Sequence, residues 1–577
     1  MSNKWKGILL YSLGGFLLFF SVFSDFFRNR PIFFGPAQIA MAFLGIASIC
    51  IGGFVRGIKV RDIIFSIDKK LLPYRKIVTV IFVVTIVLLL LFPLFYIGNY
   101  LTFPYPLEYR DAASIYAAVS FSKGINPYSI ENYPEKIYLY GLMFPLTLAP
   151  LINLVEHPLV VAKSLEVGFL VIMLGISFSI FRKRKASIVS SLIGLLILLN
   201  SSCFIWKING TRPDVLGLSF CFIGFYVISN EKPGIFQILL CALSCVTSYY
   251  FKQYMVFSAV VVAIYLFFFV SKQKGLIFCM ATFMIGILSF LVVKRYFPLY
   301  YEYSILHHIT IVGNEVSHME KQTKLFLRYY WLLCFLYLIY IYKEISKKGF
   351  IRFKEVRSGP FNIEDPIIKG ESDGLFNVGI FVSICLLTFS LGRHQGGFYS
   401  YYGELLLPFL LFLIIPKIDE ILKIDILRYV FQGLILALCV YPLRETYTTN
   451  FVSYQESFLS VTHYADQCLT IFDETPLVAV YKIEHELFPI FNNGQTEYAW
   501  SAIPDTGTIF DKFSTIPIEE MNQRWIDWHN TIENTIADQE FECIFTESDQ
   551  PIEKYEQIAE IKNVLERTIY VLVPTNP

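Results

Sequence analysis

Hydrophobic positions in this chain fall in long, nearly unbroken runs rather than in the stripes of a water-facing helix or the alternation of a half-buried strand. A helix that crosses a bilayer needs about 20 mostly apolar residues. Runs of that kind lie near 5–24, 32–54, 77–100, 157–181, 186–205, 213–229, 235–250, 254–271, 275–293, 325–342, 376–392, 402–416 and 425–442. The pattern predicts an α-helical polytopic membrane protein of about thirteen spans, several of them short. Lys4 and Lys6 precede the first run as they would in a signal peptide, but Phe23-Ser24-Asp25 lacks the small-x-small cleavage pattern, so the run reads as a retained span.

Basic residues in short loops mark the cytoplasmic side. The loop 55–76 holds Arg56, Lys59, Arg61, Lys69, Lys70, Arg75 and Lys76, and Arg182-Lys183-Arg184-Lys185 is wholly basic. Lys272 and Lys274 mark another such loop, as do Lys343, Lys347, Lys348, Arg352, Lys354 and Arg357. The apolar segment 140–155 is short and contains Pro145 and Pro150. Counting it as a span would put Arg182–Lys185 outside, so it reads as a helix at the outer interface. The N-terminus is then cytoplasmic and the C-terminus extracytoplasmic, in a cell inner or plasma membrane.

Three regions follow. Residues 1–76 form two N-terminal spans and a basic loop, 77–442 the main transmembrane module, and 443–577 an outward α/β domain. The last region has strand-like runs at Leu477–Tyr481, Cys543–Phe545 and Ile569–Val573, with a helical pattern around 518–537. Cys468 and Cys543 lie there. Two free thiols are the simpler reading, and a disulfide is the alternative in an oxidising compartment.

Composition agrees with the pattern. Of 577 residues, 55% are hydrophobic and only 16% charged, against roughly 25% charged in ordinary soluble domains. A mean hydropathy of +0.54 excludes an ordinary cytosolic enzyme and a disordered chain. The net charge of +1 conceals a division: 443–577 carries 23 acids and 7 bases, and the remainder 24 acids and 41 bases. That division fits the topology and argues against nucleic-acid binding.

Polar chemistry gathers in the outer loops. In the first, Glu108 and Asp111 are three apart and share a helix face. Ala112, Ile115, Ala118 and Val119 supply the apolar side of a surface helix that Gly124 and Pro127 end. Either the acids act as a partly desolvated base, or this is a solvated helix with Arg110 paired to an acid. Arg212-Pro213-Asp214 opens the helix at 213–229, where Pro suits the first turn and Asp the positive helix end. Lys252-Gln253 occupies a tight outer turn, as a snorkelling cation or as a phosphate ligand. Arg393-His394 lies in a glycine-bearing loop before Tyr401-Tyr402, and an Arg there can grip a phosphate with two hydrogen bonds. Lys163 and Glu166 sit three apart inside a span, functional or neutralising one another. His307, His308, His318 and Glu320 show no metal-ligand spacing.

The order of these motifs resembles the GT-C superfamily of membrane glycosyltransferases, which includes protein O-mannosyltransferases and lipid A aminoarabinose transferases. The acid motif of the first outer loop is followed by Gly124-x-x-Pro127-Tyr128, a Tyr- and Pro-containing segment at Tyr138–Pro150, Arg212-Pro213-Asp214, Lys252-Gln253 and the Gly/Arg loop. The resemblance covers about 77–442. It implies a sugar donor on polyprenyl phosphate, used at the outer face, and a lipid, glycan or protein acceptor. It implies a base at Asp111 or Glu108, with Asp111 preferred, and a second acid at Asp214. Lys252, Arg393, His394 and Arg212 fall where cations meet the donor phosphate, with Gln253, Lys163 and Tyr402 as further candidates. No cofactor is required, and a divalent metal is neither required nor excluded. The acids here are Glu-Tyr-Arg-Asp rather than adjacent, and Tyr140-Gly141-Leu142 stands in place of the Lys-Pro-Pro-Leu of the two named branches. That argues against those branches and leaves the sugar open. A transporter or lipid flippase and a polysaccharide polymerase or ligase are the rival readings.

Overall fold

The computed structural model describes residues 72–107, 109–136, 138–152, 157–201, 212–230, 232–306, 316–348, 373–393, 401–421, 451–475, 516–564 and 567–575, with a few isolated positions between. The helices are α1 (Arg75–Thr102), α2 (Tyr109–Ser122), α3 (Met143–Ile152), α4 (Pro158–Lys183), α5 (Ile188–Asn200), α6 (Asp214–Ile228) and α7 (Ile235–Phe251). There follow α8 (Phe257–Tyr265), α9 (Lys272–Tyr296), α10 (Val316–Lys348), α11 (Gly374–Phe389), α12 (Leu407–Ile421), α13 (Phe451–Ala465) and α14 (Ile518–Ala537).

Among the described residues, six helices are long and apolar enough to cross a membrane unaided: Lys76–Thr102, Pro158–Lys183, Gln253–Val270, Lys272–Tyr296, Val316–Glu344 and Gly374–Arg393. The sequence pattern also expects spans over α5, α6, α7 and α12, which are helical but shorter. At 1.5 Å per residue the 13 residues of α5 reach about 20 Å, less than the hydrocarbon core. Polar residues set those lengths: α5 stops at Asn200-Ser201, α6 starts at Asp214, and α7 gives way to Lys252. The expected spans 5–24 and 32–54 lie outside the described residues, as does nearly all of 425–442. Helix α3, within 140–155, has 10 residues and cannot cross. It packs Phe144, Leu148 and Ile152 against α2, α4 and α6 through Tyr116, Leu159 and Leu216.

The exposed apolar surface agrees with a membrane environment. Val80, Ile81, Leu91, Phe92 and Phe95 of α1 are exposed, as are Met280, Phe283, Met284, Leu288 and Leu291 of α9. Apolar faces of this extent suit hydrocarbon rather than water. The core is centred on α12, where Leu407, Phe409, Leu410, Leu411, Phe412, Leu413, Ile414 and Ile415 are all buried. This is an integral membrane protein.

The two ends of the body differ. At one end Asp373, just before α11, pairs with Arg184 after α4 and with Lys417 of α12 at 3.4 Å, and accepts the Tyr340 hydroxyl at 2.9 Å. Lys183 donates to Ser229 at 3.0 Å, just past the C-terminus of α6. The N-terminus of α6, with Asp214, therefore lies about 22 Å away along the helix, at the opposite end.

The C-terminal part forms a four-stranded sheet in the order β1-β2-β4-β3, from β1 (Ile471–Asp473), β2 (Cys543–Thr546), β3 (Tyr555–Val564) and β4 (Arg567–Pro574). Strands β1 and β2 are parallel and the other pairings antiparallel. Strands β2, β4 and the helix α14 fall where the sequence pattern expects them. The expected strand at Leu477–Tyr481 lies outside the described residues, except that Val478 is buried. Strand β3 escapes the pattern because YEQIAEIKNV carries charges along much of its length. Cys468 and Cys543 form a disulfide, with Cα atoms 5.9 Å apart, so the simpler reading of two free thiols is corrected. Neighbouring β1 and β2 bring the two residues together, which sequence distance hides.

Two outcomes follow for stability. The disulfide closes a loop of 75 residues, so Cys468→Ser with Cys543→Ser should cost about 2–4 kcal/mol. A lower thermal midpoint of the detergent-purified protein, matched by wild type in reductant, is the check. For Asp373, burial raises the carboxyl pKa, but Arg184, Lys417 and the Tyr340 hydroxyl outweigh it and hold the pKa below its ordinary 3.8. The stabilisation is complete above that ordinary value and is lost as pH falls through the folded one. Acidification below about pH 4 should therefore lower the melting temperature of wild type more than that of Asp373→Asn.

Candidate active site

The end opposite Arg184 is built from chain turns that bring buried charges together. Helix α2 begins after Pro104 and Pro106, and it ends on Gly124, whose φ of +76° favours glycine. The Gly124 N–H donates to the Phe121 carbonyl at 3.0 Å and the Ile125 N–H to that of Ser120 at 2.8 Å, closing the helix as a Schellman motif. In the first turn, Asp111 Oδ2 accepts the backbone N–H of Leu107 at 2.9 Å. An acid here meets the unpaired N–H groups and positive pole of a helix start. Asp111 is wholly buried, and so are Ala113, Ile115, Tyr116, Ala117, Ala118 and Val119. The expectation of a surface helix with one solvated side is thus corrected: α2 is packed between the loops and α3, because its small alanines admit neighbours on several sides. Glu108 lies outside the described residues.

Beneath Asp111 lie Lys163 and Glu166 of α4, both fully buried. The Lys163 Nζ donates to the carbonyls of Phe103 at 2.6 Å and Tyr105 at 3.0 Å, and sits 4.9 Å over the Tyr100 ring. It serves the carbonyl-rich end of α1, where a cation is favoured. Glu166 instead accepts the Tyr100 hydroxyl at 3.0 Å. Glu166 is within electrostatic reach of Asp111, Asp214 and the buried Arg212. The sequence pattern allows Lys163 and Glu166 to neutralise one another three residues apart; the structure gives each its own partner.

Asp214, at the start of α6 as expected, is also wholly buried. Its Oδ1 accepts the Tyr254 hydroxyl at 2.8 Å, and Lys252 Nζ stands 3.7 Å from Oδ2. Lys252 also lies 4.2 Å over the ring of Tyr140. The Tyr140 carbonyl accepts hydroxyls from Tyr128 at 3.0 Å and Ser304 at 3.1 Å, which fixes the strap carrying that ring. The strap can approach α7 this closely only because residue 141 is glycine: a Cβ there would fall 1.9 Å from the Phe251 carbonyl oxygen.

The same Tyr254 hydroxyl contacts Glu404 Oε2, and Glu404 is buried. Tyr254 packs edge-on against Tyr401 at 5.1 Å. Tyr402 bonds Thr323 at 3.0 Å, and its hydroxyl lies where a Cβ on Gly392 would come within 2.9 Å of it. Arg393 is half-buried beside that glycine, and among the described residues no hydrogen bond or ion pair joins it to the Asp214 group. His394 lies outside the described residues. Gln253 Nε2, Arg393 Nε and Glu166 Oε1 are buried without a hydrogen-bond partner among the described residues. Buried polar atoms of this kind call for a partner beyond the described side chains.

The arrangement can bind an anion beside a carboxylate. Lys252 and Arg212 supply positive charge, and Asp111, Glu166, Asp214 and Glu404 supply acids shielded from water. Among the described residues, no three His, Cys, Asp or Glu side chains converge as metal ligands. Glu404 and Tyr254 are absent from the sequence-derived set. Glu404 sits in an apolar run two residues after a tyrosine pair, and only the two-residue offset of Tyr254 from Lys252 hints at its role.

The fold is similar to the solved structure of ArnT from Cupriavidus metallidurans in the apo state, with a TM-score of 0.52 at 10% identity over 84% of this chain and 97% of that one. ArnT from the same organism bound to undecaprenyl phosphate matches with a TM-score of 0.49 at 11% identity, over 85% and 97% of the two chains. No protein-family model matches the sequence, and no curated protein does either.

Gly141→Ala tests the strap. The added methyl must displace Tyr140 from Lys252, so ligand binding at this end should weaken at least about tenfold, roughly the cost of one cation–π and packing contact. Gly168→Ala, at a glycine with open space around its Cβ position, is the control for a helix-propensity effect alone.

Proposed function

We propose that this protein is a membrane glycosyltransferase that moves a sugar from a polyprenyl-phosphate carrier to an acceptor at the extracytoplasmic face, in the building of a cell-envelope glycan. The observation that carries the reading is Asp111: a fully buried carboxylate at a helix start, sharing one end of the body with Arg212, Asp214 and Lys252. The ArnT-like fold agrees with it.

In the proposed reaction Asp111, or Glu108, accepts the proton of the acceptor hydroxyl. That oxygen attacks the anomeric carbon from the face opposite the phosphate, so configuration inverts. The bond from the anomeric carbon to the phosphate oxygen breaks, and polyprenyl phosphate leaves with the electron pair. Lys252, Arg393 and Arg212 meet the developing phosphate charge. His394, Gln253 and Tyr402 complete the donor side, and Lys163 holds the chain that carries Asp111. Asp214 orients Lys252 through the ion pair at 3.7 Å. The acceptor is a lipid, a glycan or a protein. No bound cofactor enters these steps.

The topology belongs to the same proposal. The Arg184–Asp373 end faces the cytoplasm by the positive-inside rule, so Asp111 faces outward, beneath an acidic domain of residues 443–577. Residues 1–76 are an added pair of spans, and 77–442 the transferase module.

The test is transfer by purified protein from a panel of polyprenyl-phosphate sugars. Asp111→Asn should lower kcat by about 10²–10⁴-fold, the usual contribution of a general base, and Glu108→Gln should separate the two acids. Full activity in both variants removes the assignment of the base. Solute movement across vesicles with no lipid-linked sugar consumed would favour a transporter instead.

A further inference from the structure

Two irregular loops carry the candidate site, and segments of that kind hold one shape only when something packs on them. The first is Phe103–Leu107, between α1 and α2. Its Leu107 N–H donates to Asp111 Oδ2 at 2.9 Å, and Lys163 binds the Phe103 and Tyr105 carbonyls. The second is the strap that sets Tyr140 over Lys252.

A different helix of the C-terminal part covers each loop. The Tyr105 ring stacks on Phe458 of α13, with centroids 5.0 Å apart and planes 3° from parallel. Phe103 meets the same phenylalanine edge-on at 6.3 Å and Phe451 at 5.4 Å. On the strap side, Ile518 and Met521 of α14 are buried in one cluster with Tyr128, Tyr133 and Tyr303, and Trp525 packs against it. Tyr133 stacks on Tyr303 at 5.8 Å, and the Tyr128 hydroxyl donates to the Tyr140 carbonyl at 3.0 Å. The apolar stripe of α14 continues through Trp528 and Ile532 into the core of the sheet. Helix α13 leads into β1 and α14 into β2, strands that pair in parallel beside the Cys468–Cys543 disulfide. Both contacts therefore issue from one unit.

We propose that the C-terminal part is a two-point clamp on the transferase site, in which Phe458 is a positioning residue for Asp111 and Met521 a positioning residue for Lys252. The first path runs from Phe458 through Tyr105 and Leu107 to the Asp111 carboxylate. The second runs from Met521 through the tyrosine cluster and Tyr140 to Lys252. The base governs the chemical step and the cation governs donor binding, so each contact controls a different part of the reaction. The kinetic consequence rests on the transferase reading above; the clamp itself does not.

The clamp is tested without substrate, by hydrogen exchange of the purified full-length protein in nanodiscs. Phe458→Leu removes the stack and keeps an apolar side chain. It should speed exchange across 103–111 by about tenfold, the loss expected for one aromatic pair, and leave 126–140 unchanged. Met521→Ala should do the reverse, and Met521→Leu, which conserves volume, should restore the wild-type pattern. Acceleration of both segments by one variant, of the opposite segment, or of neither overturns the proposal.

The consequence is tested by kinetics on the polyprenyl-phosphate sugar that the wild type consumes. Phe458→Leu should lower kcat by about 10–100-fold at unchanged donor KM, because a base displaced by about 1 Å can cost a hundredfold. Met521→Ala should raise the donor KM by about tenfold at unchanged kcat, and Met521→Leu should recover it. Tyr105→Leu combined with Phe458→Leu should cost no more than either alone, since both break the same stack. Additive losses in that pair, or equal losses of kcat and KM in both Phe458→Leu and Met521→Ala, would show attachment of a domain and overturn the positioning roles. If wild type consumes no lipid-linked sugar, the transferase reading fails, and hydrogen exchange still decides the clamp.

Discussion

A carboxylate removed from water has to be met by hydrogen bonds or by opposite charge, and Asp214 is removed completely. Its partners include Lys252 and Tyr254, supplied by one short turn between α7 and α8. That pairing fixes where α7 may end relative to the start of α6. It also brings the Tyr140 strap over Lys252 and Glu404 over Tyr254, so segments distant in sequence are aligned by one buried charge. Removing a partner from a buried ion pair generally costs far more than the pair itself is worth. The site end is therefore an all-or-none arrangement, unlike the greasy flanks of α1 and α9, where one apolar residue can replace another.

The two ends of the body solve the charge problem differently. Around Asp373, one acid is shared by two cations and a tyrosine, with part of its surface open to solvent. At the other end Asp111, Glu166, Asp214 and Glu404 are all buried, and tyrosine hydroxyls meet three of them. Tyrosine suits this task in a membrane body, because its ring packs as a hydrophobe while the hydroxyl serves an ion. The chain's 37 tyrosines are thus more than bulk: Tyr100, Tyr138 and Tyr254 each link a buried polar group to the apolar frame.

Much of this was legible in the sequence, because the membrane imposes a simple code of length and hydrophobicity. The helices over 77–100, 157–181 and 275–293 follow from it directly, as does the helix start at Pro213-Asp214 and the stop at Gly124. What stayed hidden depends on contacts between distant segments. Neither Cys468 nor Cys543 carries a local mark of its partner, and strand β3 is disguised by its charges. Glu404 reads as the polar start of an apolar run, since nothing near it in sequence reveals Tyr254 a hundred and fifty residues earlier. Lys163 and Glu166 show the reverse error, where spacing suggests a pair and packing gives each residue a different partner.

The burial of α12 bears on how the protein is made. This helix occupies the centre of the core, yet it emerges from the ribosome after α1–α11. The earlier helices must enter the bilayer and wait with an unfilled seam between α4, α5, α10 and α11, lined by residues such as Phe181, Leu196, Leu336 and Phe376. Insertion of 402–421 then closes the seam and carries Glu404 to Tyr254 in the same event. Assembly of the hydrophobic body and completion of the buried charge cluster are one late step of biogenesis, and a chain halted before residue 402 would hold neither.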